Sequence, residues 1–265
     1  MPLVNYIGNR QECLDAGVGG FVRGNAPPPP PLTLDFIVVG GGSAGRGSGT
    51  GGSGGGVVSG SAVTMSFNTS LNILVGNGGT SSGGVPVLNA GSSSISSSTF
   101  GLYVAGGALG GSSGTPQANS EGLSGPGGTQ GGGAGSSKNG NSGVSGVNGD
   151  GGTGSLWLDS KWYAGGGGGV NPAGTPGFPG LGGGGTAQTG FGPDGLAYQL
   201  NGYNGRGGGA AGSSGQGGSG VVILRYSTAS VVPPYDNAIS GGELTISGGF
   251  VYRTFTGSAQ LTYSY

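Results

Sequence analysis

Residues 140–152 read GNSGVSGVNGDGG, with Gly140, Gly143, Gly146, Gly149 and Gly152 standing three apart. The same spacing recurs at Gly122, Gly125, Gly128 and Gly131, at Gly174, Gly177, Gly180 and Gly183, and at Gly202, Gly205 and Gly208. A period of three is that of the polyproline II helix, which has three residues per turn and no internal hydrogen bonds. Glycine at every third position gives such a helix one edge free of side chains. Neighbouring helices can then approach, and their N–H and C=O groups can pair between helices, which answers where the backbone hydrogen bonds go. At polyproline II rise the 140–152 run spans about 40 Å. Phase breaks between runs mark turns.

The composition agrees. Of 265 residues 74 are Gly, all but ten of them between residues 40 and 220, and only 6% are charged. A helical protein is excluded, because each interior glycine costs a helix about 1 kcal/mol relative to Ala. Strict collagen is excluded because the three-residue spacing is not continuous. Eight scattered Lys and Arg make no basic patch for nucleic acid. Cys13 stands alone, so there is no disulfide scaffold, and it reads as a small apolar residue. With no His there is neither a His/Cys zinc site nor a Ser-His-Asp arrangement.

Apolar islands interrupt the glycine. Leu32–Val39 (LTLDFIVV), Ala62–Phe67, Leu71–Val75, Val85–Leu88, Phe100–Ala105, Leu156–Ala164 and Gly220–Tyr226 have strand character. Beyond them Glu243–Ser247, Phe250–Phe255 and Gln260–Tyr263 read as a short β-meander. These strands argue against a flexible linker array. The expected fold is mainly β with polyglycine II helices, a glycine-rich sandwich or bundle with no long α-helix. Three regions follow: residues 1–31, ending in the stiff spacer Pro27–Pro31; a glycine-rich domain at 32–226; and a C-terminal β module at 227–265. Residues 1–23 lack the apolar core of a secretion signal, and no apolar run reaches the ~18 residues of a membrane span. The chain is expected to stay intact in the cytosol, without membrane insertion.

Asp35–Gly45 (DFIVVGGGSAG) places Gly40, Gly42 and Gly45 in the spacing of a dinucleotide loop. That site needs a helix at the third glycine and an acidic residue about 20 positions on. RGSGTGGSGGG cannot form the helix, and the next acid after Asp35 is Glu121. Nothing pairs Glu121, Asp150, Asp159 and Asp194 as catalytic carboxylates, and Asn68-Thr69-Ser70 reads as a chance glycosylation match. No enzyme activity, cofactor or metal is expected. The informative residues are aromatic: Trp157, Trp162, Tyr163, Phe178, Phe191, Tyr198 and Tyr203, mostly in segments between glycine runs. Each can pack a core or offer an apolar face with a polar handle to a ligand. As a set on loops held by a rigid scaffold, they are candidate receptor-binding residues.

Val38–Gly42 (VVGGG), Val75–Gly79 (VGNGG) and Gly217–Tyr226 (GGSGVVILRY) together resemble the glycine-rich domain of bacteriophage tail fibre and other virion appendage proteins, over about residues 32–226. Gly241–Tyr263 is similar to the short β module that accompanies it. In construction, the three-residue periodicity resembles the distal tail-fibre adhesins of T4-like phages. That resemblance implies a virion protein whose polyglycine II sandwich presents loops to a host-surface glycan or outer-membrane protein. Residues 1–31 would dock to other virion proteins, and a homo-oligomer is expected, with a trimer favoured. Assembly would take place in the host cytoplasm. It supplies no catalytic motif. Two other roles stay open: a capsid or collar decoration fibre that reads no receptor, and an ice-binding polyglycine II protein.

Overall fold

The computed structural model describes residues 30–47, 49–82, 85–108, 132–138, 140, 148–170, 175–188, 190–212, 215–230 and 238–264. All but the last two residues of the expected docking segment 1–31, the Gly122–Gly131 run and most of the 140–152 run lie outside them. The strands in chain order are β1 (Leu32–Val39), β2 (Val57–Met65), β3 (Thr69–Leu74), β4 (Thr80–Ser82), β5 (Val85–Leu88), β6 (Ser93–Ser97) and β7 (Gly101–Ala105). After these come β8 (Ser155–Leu156), β9 (Trp162–Tyr163), β10 (Val221–Ser227), β11 (Ile239–Ser240), β12 (Glu243–Ser247), β13 (Phe250–Phe255) and β14 (Ala259–Tyr263). Among the described residues the only helix is a 3-10 turn, Thr228–Ser230.

Two five-stranded antiparallel sheets carry the fold, ordered β12-β13-β10-β1-β2 and β11-β14-β3-β6-β7. Alternation along β1 explains the core. Leu32, Leu34, Phe36 and Val38 face inward and meet Leu71, Ile73 and Ile95 of the second sheet. Ile37 and Val39 face outward with Val221 and Ile223, and they too are buried, under Trp157 and Tyr163. Because both faces of β1 are covered, it reads as an apolar run rather than an alternating one. Midway along, the register of β1 and β2 shifts between Leu34 and Phe36. Ala62 there takes φ 53°, and its N–H donates to Asp35 Oδ1 at 3.0 Å. The other carboxylate oxygen of Asp35 binds Arg225 directly opposite on β10, at 2.6 Å.

All glycine segments leave the sandwich at one end. Val39 pairs with Val57 and Val221, Leu74 with Ser94, and Ser93 with Ala105. Residue 30 enters at the opposite end, where the Tyr263 hydroxyl donates to the Pro30 carbonyl at 2.8 Å. In the glycine region the N–H groups of successive residues point to three different neighbours. Those of Gly165 and Gly168 donate to Gly182 and Gly185, a parallel neighbour. Those of Gly166 and Gly169 donate to Gly152 and Gly149, and those of Gly167 and Val170 to Gly52 and Gly49, both antiparallel. Every third residue returns to the same neighbour, so the segments are polyglycine II helices packed as a bundle. Their glycines are required by space. A Cβ on Gly166 would overlap the carbonyl of Gly133, one on Gly167 that of Ala210, and one on Gly168 that of Gly177.

The spacing of three thus appears in the hydrogen bonds, but the buried helices are denser in glycine than it requires. Gly40–Gly45, Gly51–Gly56 and 164–169 (AGGGGG) are contacted on all sides, so a single bare edge is not enough. Conversely, Gly202, Gly205 and Gly208 do not share one helix, because Gly205 and Gly207 have positive φ in the turn at 204–207. Gly183 likewise closes a turn, with φ 87°. The stretch with dinucleotide-loop spacing is itself a bundle segment: Gly40, Gly41 and Gly42 donate to Gly56, Gly91 and Gly218.

The C-terminal strands form at the expected residues but not as a separate meander. β13 extends the first sheet beside β10, and β14 crosses to the second beside β3. Val251, Phe255, Leu261 and Tyr263 share one core with Phe36. β6 is a strand that the sequence does not advertise, since SSISS offers only Ile95 as an apolar residue.

Candidate functional site

The seven aromatic residues fall into two groups. The first belongs to the β8–β9 hairpin. Its turn closes by Trp157 N–H to the Lys161 carbonyl at 3.0 Å and Ser160 N–H to the Trp157 carbonyl at 3.0 Å, with Ser160 at φ 61°. Trp157 is only 8% exposed and meets Tyr252 edge-on, with centroids 6.4 Å apart. Tyr163 is 2% exposed, and its hydroxyl donates to Asp159 Oδ2 at 2.7 Å. Burial pushes the Tyr163 phenol well above its usual pKa; the bond to Asp159 and that carboxylate's charge add to the shift, and Arg206 opposes it. The Arg206 guanidinium sits 5.1 Å from the Tyr163 ring centroid and donates Nη1–H to the Trp162 carbonyl at 2.7 Å. Trp157 and Tyr163 therefore cover the outer face of the first sheet. Neither can offer its ring to a receptor without uncovering Ile37 and Ile223. Trp162 is half-buried on β9.

The second group surrounds the loop at 190–198. Phe191 bridges Ala197, Gly192 N–H donates to the Leu196 carbonyl at 2.8 Å, and Tyr198 N–H to the Gly190 carbonyl at 2.8 Å. Asp194 ties the loop to the bundle, accepting from Gly182 N–H at 3.1 Å. The Tyr203 hydroxyl donates to the Ala197 carbonyl. Phe178 meets Tyr198 with centroids 6.4 Å apart and planes at 61°. Phe178 is 52% exposed and Phe191 74%, while Tyr198 and Tyr203 are half-buried. The structure thus places Phe191 and Tyr198 on one braced loop, with Phe178 against Tyr198 and Tyr203 bonded to the Ala197 carbonyl. The cleft beneath it, about 10 Å³, has room for no more than a water molecule. This group can offer an exposed apolar surface, not a pocket.

A pocket of about 390 Å³ lies elsewhere, where the β8–β9 hairpin and the turn at 204–207 meet the outer face of the first sheet. Lys161, Arg206 and Tyr252 line it with Thr245 and Thr254. Sequence reasoning passed over these residues, except for Tyr163 at the pocket floor, because they come from four separate segments and no spacing links them.

No curated protein and no solved structure gave a significant match. A family model described as a glycine-rich domain matches residues 23–227. Its span takes in β1 to β10 and the whole bundle, and it stops where β11–β14 begin to complete the sheets. The chain belongs to this glycine-rich domain family.

Proposed function

We propose that the protein is a non-enzymatic structural component of a phage virion, a tail fibre or adhesin that holds receptor-binding loops on a stiff glycine scaffold. The observation that carries this reading is the loop at 190–198. Its exposed Phe191, with Phe178 packed against Tyr198 from the neighbouring segment, is held by Asp194 on a bundle whose interior carries little beyond glycine, alanine and serine. Function concentrates on loops that a rigid scaffold positions. Large rigid aromatics lose little conformational freedom on binding, which suits them as contacts to a glycan or an outer-membrane protein. Chain entry at the opposite end of the sandwich suits docking of residues 1–31 to other virion proteins. Exposed Leu102 and Leu156 near the edge strands β2 and β7 suit contact with further copies, with a trimer favoured. Several copies would turn weak single contacts into avidity.

Purified protein should bind host cells and block infection, and Phe191→Ser should weaken both without lowering the melting temperature. Absence of both binding and blocking would leave the decoration-fibre role in its place.

A further inference from the structure

We propose that the 390 Å³ pocket beside the β8–β9 hairpin binds a sugar ring that carries one acidic group, a carboxylate or a phosphate. Its size lies within the range of small-ligand sites. Its construction matches the two demands of a saccharide, an apolar platform and convergent polar groups. The platform is the half-buried Tyr252, braced by Trp157, while the buried Val221 and Ile223 close the pocket at its base. Hydroxyls of Thr245, Ser247 and Thr254 rise from the sheet, and that of Thr256 from just beyond β13. Asn204 and Arg206 close the pocket from the turn, and Asp159 and Lys161 from the hairpin.

Donors are in excess. Both oxygens of Asp159 already accept, one from the Tyr163 hydroxyl and one from Lys161 N–H. Asn204 Oδ1 accepts from Ser219 N–H, which leaves its amide N–H groups for a ligand. Arg206 uses Nη1 on the Trp162 carbonyl, which fixes the guanidinium over Tyr163, and the other N–H groups of that guanidinium have no hydrogen-bond partner among the described residues. The Lys161 ammonium has no partner among the described residues. Glu243, opposite Thr254 on β12, stands outside the lining. An occupant rich in acceptors, with a carboxylate or phosphate within reach of Lys161 and Arg206, completes this set. Charge-assisted hydrogen bonds would then favour the acidic sugar over its neutral parent. The bracing bonds exist before any ligand arrives, so little ordering cost is added on binding.

This assignment deepens the adhesin reading and rests on it only for the source of the sugar. Saturation-transfer NMR titrations would use glucuronic acid, glucose 6-phosphate, glucose and inorganic phosphate. Both acidic sugars should bind at least about tenfold more tightly than glucose, and inorganic phosphate should not displace them. Lys161→Ala, at an exposed position, should erase most of the acid preference, and Thr254→Val should weaken all three sugars. Equal binding of glucose, displacement by phosphate alone, no acidic-sugar signal, or unchanged affinity in Lys161→Ala would each overturn the assignment. Sugar binding in solution without cell binding would count against the adhesin reading alone. Cell binding with an empty pocket would count against the pocket alone.

Discussion

Gly167 donates its N–H to Gly52, and its α-carbon faces the carbonyl of Ala210. Its φ is not in the left-handed range, so alanine there is a matter of room and not of backbone strain. Because the obstacle is backbone, it cannot swing aside. Gly167→Ala is expected to cost about 3 kcal/mol or more in urea unfolding. At Gly257 an added methyl would meet nothing within 4 Å, so Ala there should be tolerated within about 0.5 kcal/mol. Tyr163 supplies a second test. Its folded pKa lies above the ordinary 10.0, so the folded state keeps a proton that the unfolded state releases. Its stabilising contribution is complete below about pH 10 and falls above it, by about 1.4 kcal/mol per pH unit. Urea unfolding at pH 9, 10 and 11 should show this loss, and Tyr163→Phe should remove that part of the slope. At this scale the sequence marked the aromatics but not their surroundings. Leu156, Trp157 and Leu158 are all apolar, yet only Trp157 is buried, because the packing of the hairpin on Ile37 and Ile223 decides which side chain faces inward.

At the scale of elements, strands and glycine helices were legible to different degrees. LTLDFIVV and FVYRTF form strands over the residues their patterns mark, since β-branched and aromatic side chains suit a pleated, half-buried surface. The glycine helices were legible by period, but their neighbours were not, because glycine carries no side chain to specify a partner. Register is instead set by the turns, as at Gly183 and Gly205–Gly207. One residue added between Gly167 and Gly168 turns every later group by a third of a revolution. It leaves buried N–H groups facing the wrong neighbour at about 1–3 kcal/mol each. That insertion should abolish soluble folded protein in an expression trial, whereas one glycine added at the exposed Gly248–Gly249 turn should not.

For the whole molecule, the family boundary near residue 227 and the structural boundary differ. Residues after Ser227 supply four strands and the buried side chains Ile239, Val251, Phe255, Leu261 and Tyr263. A chain ending at Ser227 would expose the inner faces of β10 and β3 along one side of the sandwich. It should bind a hydrophobic dye and lose dispersion in its amide NMR spectrum, while the full chain does neither. The sequence reading separated this module because composition changes at residue 227. Pairing of β13 with β10 and of β14 with β3 joins residues far apart along the chain, and composition does not record that.

The glycine bundle also bears on how stability varies with temperature. Its interior is peptide groups bonded to peptide groups, so unfolding exposes mainly polar surface there. Exposed polar surface lowers the heat capacity of unfolding, whereas exposed apolar surface raises it. Calorimetry should therefore give a value per residue below the usual ~12–15 cal/mol/K. The stability curve would be correspondingly flat, and the bundle would hold its shape across cold and warm surroundings alike.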